Sequence, residues 1–200
     1  LRTPEAVQRY LNRLPYNTEK RGDTLRSFRQ VVRHKTAHCL EAALFAACVL
    51  EQHGYPPQLL TFESVDGLDH VLFLYRKNGR WGTVARSRDP GLHGRKPVFR
   101  SLRALSMSYF DAYIDPTGCI EGYASYGLKE LGRYDWRFAR RNMWALERAL
   151  IDVPHRRIKF SQKYVDRVRA RYVAYREKYG KKPLFYKGRR TWTAIPKEFL

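Results

Sequence analysis

The sequence of 200 residues has only three cysteines, Cys39, Cys48 and Cys119, and this scarcity excludes two kinds of architecture. Three irregularly spaced cysteines are too few for the disulfide framework of a small secreted domain or for a zinc knuckle. Cys39 and Cys48 are nine positions apart, which at about 100° per residue places them on opposite faces of one helix and prevents a disulfide. We therefore expect reduced cysteines in a cytoplasmic protein that uses no metal or other cofactor.

Long apolar runs are also missing. No stretch approaches the length of a membrane span, and Leu1–Pro4 does not begin a signal peptide, so we expect no membrane association. The hydrophobic content of 44% is enough for one sizeable core. We expect one domain in three parts: N-terminal helices in residues 1–34, a catalytic core in residues 35–128 and a basic helical extension in residues 129–200.

Basic residues are absent from one segment of this otherwise basic chain. The net charge is +20, yet residues 36–75 contain five acidic residues and no Lys or Arg. Residues 129–200 contain 21 basic and 7 acidic residues. These charges either cover solvated helix faces or bind nucleic acid or another anionic partner, although the sequence contains no RNA-binding signature or helix-turn-helix pattern.

Apolar residues at helical spacing, together with capping residues, predict six helices. Asp23 or Thr24 caps the second helix, Ser101 the fourth and Asp135 the fifth. The third helix spans about residues 37–53 and is apolar nearly all round. A helix with that pattern is buried in the middle of a fold.

Between the helices the pattern changes to that of strands. Residues 58–62, 70–75 and 81–85 predict an antiparallel sheet that packs against the third helix. Asn78 and Gly79 join the last two strands, and this dipeptide favours a two-residue type I′ turn because both central residues of that turn need positive φ. The sequence therefore predicts an α+β fold.

Cys39, at the start of the buried third helix, is the candidate nucleophile. Free cysteine is among the most buried residue types, so a role as a small core residue is the alternative. If Thr36 is the N-cap, Cys39 occupies the third helical position. There the free backbone N–H groups and the helix dipole favour a thiolate and can receive an oxyanion.

The hairpin register brings two further groups into the same prediction. With a two-residue turn, Lys77 pairs with Arg80, and the extended ladder places His70 opposite Ser87 and diagonal to Asp89. Thiol, imidazole and carboxylate are the groups that cysteine-based acyl transfer needs. The alternatives are a strand histidine with a structural hydrogen bond and an ordinary turn acid.

Together these features resemble the core of the bacterial transglutaminase-like superfamily over residues 35–90. The resemblance rests on Cys39 at the head of a buried helix, His70 on a strand, Trp81 after a Gly-containing turn and a downstream Asp. It implies a papain-like fold, with Cys39 as nucleophile, His70 as general base and Asp89 as orienting acid. In the family the acid commonly follows the Trp-containing strand closely, whereas Asp89 arrives later.

An upstream polar residue normally completes the oxyanion hole in this family, and Gln30 and His38 are the candidates, with Ser87 as a polar neighbour of the imidazole. The resemblance implies a cysteine-dependent enzyme that hydrolyses or transfers an amide bond of a peptide or conjugate. The alternative is a basic module on a papain-like scaffold that binds nucleic acid or another polyanion without catalysis.

Overall fold

An antiparallel sheet forms the centre of the fold, with the strand order β4-β3-β2-β1-β5-β6. The computed structural model describes residues 1–20, 22–184 and 186–199. The strands are β1 (Gln58–Ser64), β2 (His70–Lys77), β3 (Arg80–Val84), β4 (Arg95–Phe99), β5 (Ile120–Gly127) and β6 (Arg156–Arg157). The helices are α1 (Pro4–Leu11), α2 (Phe28–His34), α3 (Cys39–Glu51), α4 (Leu102–Tyr113), α5 (Trp144–Asp152) and α6 (Gln162–Tyr179).

Helices cover both faces of this sheet. Successive strand residues point to opposite faces, and both faces carry apolar side chains that pack against helices. Val71, Phe73 and Tyr75 of β2 pack in one core cluster with α1, α3 and α5. Leu72 and Leu74 pack in a second cluster with α4 and α6. The fold is thus α+β, with a buried helix on an antiparallel sheet and further helices towards the C-terminus, as predicted.

The buried helix α3 also confirms its prediction. Every side chain from Leu40 to Leu50 is buried except that of Val49. Such an all-round apolar surface needs protein on every side, and the sheet, α1 and α2 supply it. The position of α3 in the middle of the molecule follows from its composition.

The hairpin between β2 and β3 has the predicted register at its turn. Lys77 pairs with Arg80, and Asn78 and Gly79 have φ angles of 49° and 72°, as the type I′ turn requires. The ladder between these strands ends at Val84. His70 lies beyond the end of this ladder, so the predicted pairing of His70 with Ser87 is not formed. On the other side of β2, His70 pairs with Phe62 of β1.

Two predicted helix starts are corrected in the first half of the chain. Ser27, not Asp23 or Thr24, caps α2 by accepting a hydrogen bond from the backbone of Gln30. The hydroxyl of Thr24 is used elsewhere, on the carboxylate of Glu41.

The helix α3 is capped by His38 rather than Thr36, which makes Cys39 its first residue. Cys39 therefore lies two positions closer to the helix end than predicted. It remains within the first turn, where backbone N–H groups have no partner inside the helix.

The start of α5 is also later than predicted. Asp135 caps a turn, not a helix, because its Oδ1 accepts hydrogen bonds from the backbone N–H groups of Arg137 and Phe138. A local turn of this kind competes with helix formation, and α5 begins only at Trp144.

Two further observations concern the described residues alone. None of the helices there has both the length and the apolarity that crossing a membrane requires, and no group of three or more His, Cys, Asp or Glu side chains there could hold a metal ion. The division of the chain at residues 34 and 128 stays a prediction.

Candidate active site

A pocket of about 520 Å³ lies where the N-terminus of α3 meets the start of β2. Cys39 lines it from the helix and His70 from the strand, while the loop after β3 contributes Ser87, Arg88 and Asp89. The residue Cys39 is half-buried, whereas Cys48 and Cys119 are buried. The structure thus brings the predicted thiol and imidazole into one cavity.

A buried carboxylate fixes the start of α3 beneath this pocket. Glu41 is fully buried and accepts hydrogen bonds from the backbone N–H groups of His38 (3.0 Å) and Arg26 (3.1 Å). It also accepts from the side chains of Asn17 (3.0 Å) and Thr24 (2.9 Å). Because these donors come from the segment before α2 and from the N-cap, Glu41 ties one wall of the pocket to the first turn of α3.

The second fixed group is the imidazole of His70. Its Nε2 lies 2.9 Å from the backbone carbonyl oxygen of Leu92. A carbonyl can only accept, so Nε2 carries a proton. The ring also helps to lower the pKa of the Cys39 thiol, so Nδ1 is the nitrogen available to exchange a proton with it.

The electrostatics distinguish Cys39 from the other two cysteines. Burial raises the pKa of the Cys39 thiol, but hydrogen bonds and charges from His38 and His70 outweigh it and hold the pKa well below its ordinary value. Burial raises the pKa of Cys48 to about 11 and also raises that of Cys119. A thiolate is the nucleophilic form of cysteine, so Cys39 alone of the three is activated.

His38 contributes a positive charge to the site. Its Nε2 lies 2.8 Å from the carbonyl oxygen of Thr24, with carboxylate oxygens of Glu41 and Glu19 at 3.5 Å and 3.9 Å. Burial lowers the pKa of His38, but the contacts with Cys39, Glu41 and Thr24 outweigh burial and raise the pKa to about 9. The predicted oxyanion candidate is therefore an imidazolium at neutral pH, directly beside the thiol.

Asp89 lines the pocket but does not orient His70. Its Oδ1 lies 2.5 Å from Nζ of Lys182 and its Oδ2 3.8 Å from Nε of Arg88. The predicted contact assumed that the hairpin ladder extends past Val84, whereas the chain turns away there. The carbonyl of Leu92 takes the place that the prediction gave to Asp89.

Of the other two predicted neighbours, Ser87 lies in the pocket and Gln30 lies outside it. Ser87 is a buried pocket residue, and its hydroxyl accepts a hydrogen bond from the backbone N–H of Asp89 at 3.0 Å. The side-chain amide of Gln30 lies away from the pocket and donates to the carbonyl of Arg140 at 2.5 Å. Gln30 is therefore not placed to serve an oxyanion hole.

Sequence reasoning missed Tyr16, which also lines the pocket. A backbone bridge between Tyr16 and Ala37 holds it beside the start of α3. Burial, and then the charge of Cys39, raise the pKa of the Tyr16 phenol. The phenol thus stays a neutral hydrogen-bond donor. The one signal in the sequence that could have indicated Tyr16 is its position directly after Pro15, which ends the first predicted helix.

Comparisons with known proteins find distant similarities. No protein family model matches the chain. The mouse (Mus musculus) protein tubulinyl-Tyr carboxypeptidase 1 is 27% identical over 125 residues, covering 54% of this chain and 33% of that protein. The chain therefore spans about a third of the length of this relative.

Among solved structures, LapG of Legionella pneumophila matches with a TM-score of 0.38 and 14% sequence identity, covering 74% of this chain and 76% of that one.

Proposed function

We propose that the protein is a cysteine peptidase in which Cys39 is the nucleophile and His70 the acid–base catalyst. One observation carries this proposal: two imidazoles share a pocket with a single half-buried cysteine and lower the pKa of its thiol. The carbonyl of Leu92 holds the far nitrogen of His70. The distant similarity to a carboxypeptidase supports the same class of enzyme.

The proposed reaction proceeds through a thioester. The thiol of Cys39 gives its proton to Nδ1 of His70, and the resulting thiolate forms a bond with the carbonyl carbon of the substrate while the negative charge moves to the carbonyl oxygen. Free backbone N–H groups at the start of α3 and the phenol of Tyr16 are the donors available to that oxyanion. His70 then gives a proton to the leaving amine as the C–N bond breaks. Water, deprotonated by His70, attacks the thioester and releases the acid and the thiolate.

As substrate we propose a peptide from which the C-terminal residue is released, because the mouse relative is named a carboxypeptidase. Arg88 and Lys182 both line the pocket, and both are held there by the carboxylate of Asp89. A substrate's terminal carboxylate has the same chemistry as that of Asp89, so it can bind to the same two cations.

The test is a set of peptides with free or amidated C-termini, analysed by mass spectrometry after incubation with the protein or its Cys39→Ala variant. We expect the loss of one C-terminal residue from free peptides, no reaction with amidated ones and no reaction with the variant. Equal cleavage of amidated peptides would contradict carboxypeptidase specificity. The absence of any Cys39-dependent cleavage across the set would refute the peptidase proposal.

Binding of a polyanion is a second candidate function, because α6 exposes several cations. The exposed residues are Lys163, Arg167, Arg171, Arg176 and Lys178. Electrostatic binding of nucleic acid weakens steeply as salt rises. Titration of a generic oligonucleotide at increasing salt tests this candidate, and a failure to bind at low salt dismisses it.

A further inference from the structure

We propose that two buried arginines, Arg86 and Arg95, position the Leu92 carbonyl that orients His70, and that Glu198 controls this arrangement. We call Arg86 and Arg95 the arginine frame. The inference rests on the proposed role of His70, but it assigns new positioning residues and makes the C-terminal turn at Lys197–Phe199 part of the site.

Arg95 holds the two carbonyls that flank the one used by His70. Its fully buried guanidinium donates through Nη2 to the carbonyl of Gly91 at 2.7 Å and through Nη1 to that of His93 at 2.8 Å. The intervening carbonyl of Leu92 accepts from His70. With three consecutive carbonyls engaged in this way, none of their peptide planes can rotate without breaking a buried hydrogen bond.

The same guanidinium anchors this loop to α4. It donates to the backbone carbonyl and the hydroxyl of Ser108 at 3.1 Å and 3.2 Å, and it stacks on the ring of Tyr109 at 3.8 Å. Burial lowers the pKa of Arg95 to about 10, so it is charged at neutral pH. The loop that presents Leu92 is therefore fastened to the helix layer behind it.

Arg86 holds the other side of the loop. It is fully buried, and its Nη1 donates to the carbonyl of Ser87 at 2.9 Å and to Nε2 of His93 at 3.1 Å. Nη2 donates to the carbonyl of Leu14 at 3.1 Å. Burial and the charge of Arg86 hold the pKa of His93 well below its usual value, so His93 stays neutral and accepts this hydrogen bond.

Glu198 supplies the negative charge for Arg86. Its Oε1 lies 2.7 Å from Nη2 of Arg86, and the Glu198 side chain is 46% exposed while that of Arg86 is fully buried. The neighbouring Phe199 packs its ring on His93, with ring centroids 5.5 Å apart. A buried charge that loses its partner is strongly unfavourable. Loss of the Glu198 charge should therefore displace Arg86, and with it the loop that carries Leu92.

The experiment compares the Glu198→Gln variant with wild type and with Lys197→Gln, which alters an exposed residue of the same turn. Two readouts are needed. The first is kcat/KM on a peptide that the wild-type protein cleaves, and the second is the pH dependence of Cys39 alkylation by iodoacetamide. We expect Glu198→Gln to lower kcat/KM about tenfold and to raise the midpoint of alkylation by about one pH unit, because a misplaced His70 stabilises the thiolate less. Lys197→Gln should match wild type.

A second variant guards against a folding defect. Arg95→Lys keeps a charge but loses the planar fork by which Arg95 reaches the carbonyls of Gly91 and His93 together. Circular dichroism checks that each variant is folded. A folded Glu198→Gln protein whose alkylation profile coincides with that of wild type overturns the inference. If the profile shifts while wild type cleaves none of the peptides, the peptidase proposal fails and the inference about the arginine frame stands.

Discussion

Replacement of His38 by glutamine removes one of the two imidazoles at the thiol, and its effect can be worked out from the structure. The imidazolium of His38 lowers the pKa of the Cys39 thiol through its charge and its contact with the thiolate. The His38 residue is only 7% exposed, so solvent screens the interaction weakly. A hydrogen bond to a charged group contributes roughly 1.5 to 3 kcal/mol. Since one pKa unit corresponds to about 1.4 kcal/mol, the pKa of the Cys39 thiol should rise by roughly one to two units.

The assay is the rate of iodoacetamide alkylation as a function of pH, followed by mass spectrometry of the peptide that contains Cys39. Cys48 and Cys119 do not interfere, because the pKa values of both thiols are raised. His53→Gln is the matched control, since His53 is exposed beyond the far end of α3. We expect this control to retain the wild-type midpoint.

The outcome that refutes the reasoning is an unchanged midpoint in His38→Gln together with a raised midpoint in His70→Ala. His70 alone would then hold the thiolate. The converse, a shift in His38→Gln larger than in His70→Ala, would identify His38 as the main cation of the pair.

Four further predictions follow from the contacts described. The His38 pKa is raised to about 9, so its charge persists below that pH, and kcat/KM should fall as pH rises through it. Asp89→Asn should leave the alkylation midpoint unchanged, because Asp89 pairs with Lys182 rather than His70. Glu41→Gln should lower the free energy of unfolding in urea by about 3 kcal/mol, because it removes a buried charge that accepts several hydrogen bonds. Gly79→Ala should lower it by about 1 kcal/mol, since φ is 72° and left-handed backbone is unfavourable with a Cβ.

Local signals made part of this fold predictable. The all-round apolar pattern of α3 requires burial whatever its neighbours are, and the Asn78-Gly79 turn fixes a register by its own backbone geometry. These two elements place Cys39 and His70 at adjacent ends of a helix and a strand. The thiol and the imidazole could therefore be found before any long-range contact was known.

The remaining features depend on contacts between distant parts of the chain. The strand β5 pairs with β1 along its whole length, yet it contains Gly122 and Gly127 and few residues that favour strands. Asp89 was selected by extending a register beyond Val84, where the ladder ends. Arg86 and Glu198 are more than a hundred positions apart in the chain, so no local pattern indicates their ion pair.

The contact between His70 and the Leu92 carbonyl has a consequence for mutagenesis and for titration. A backbone carbonyl is present whichever side chain occupies position 92, so alanine scanning would record Leu92 as an ordinary apolar residue and leave the orienting group intact. The carbonyl also cannot bind or release a proton in the physiological pH range. An enzyme oriented in this way has one titrating group fewer than a thiol–imidazole–carboxylate triad, and no carboxylate pKa should appear from this position in its acidic pH profile.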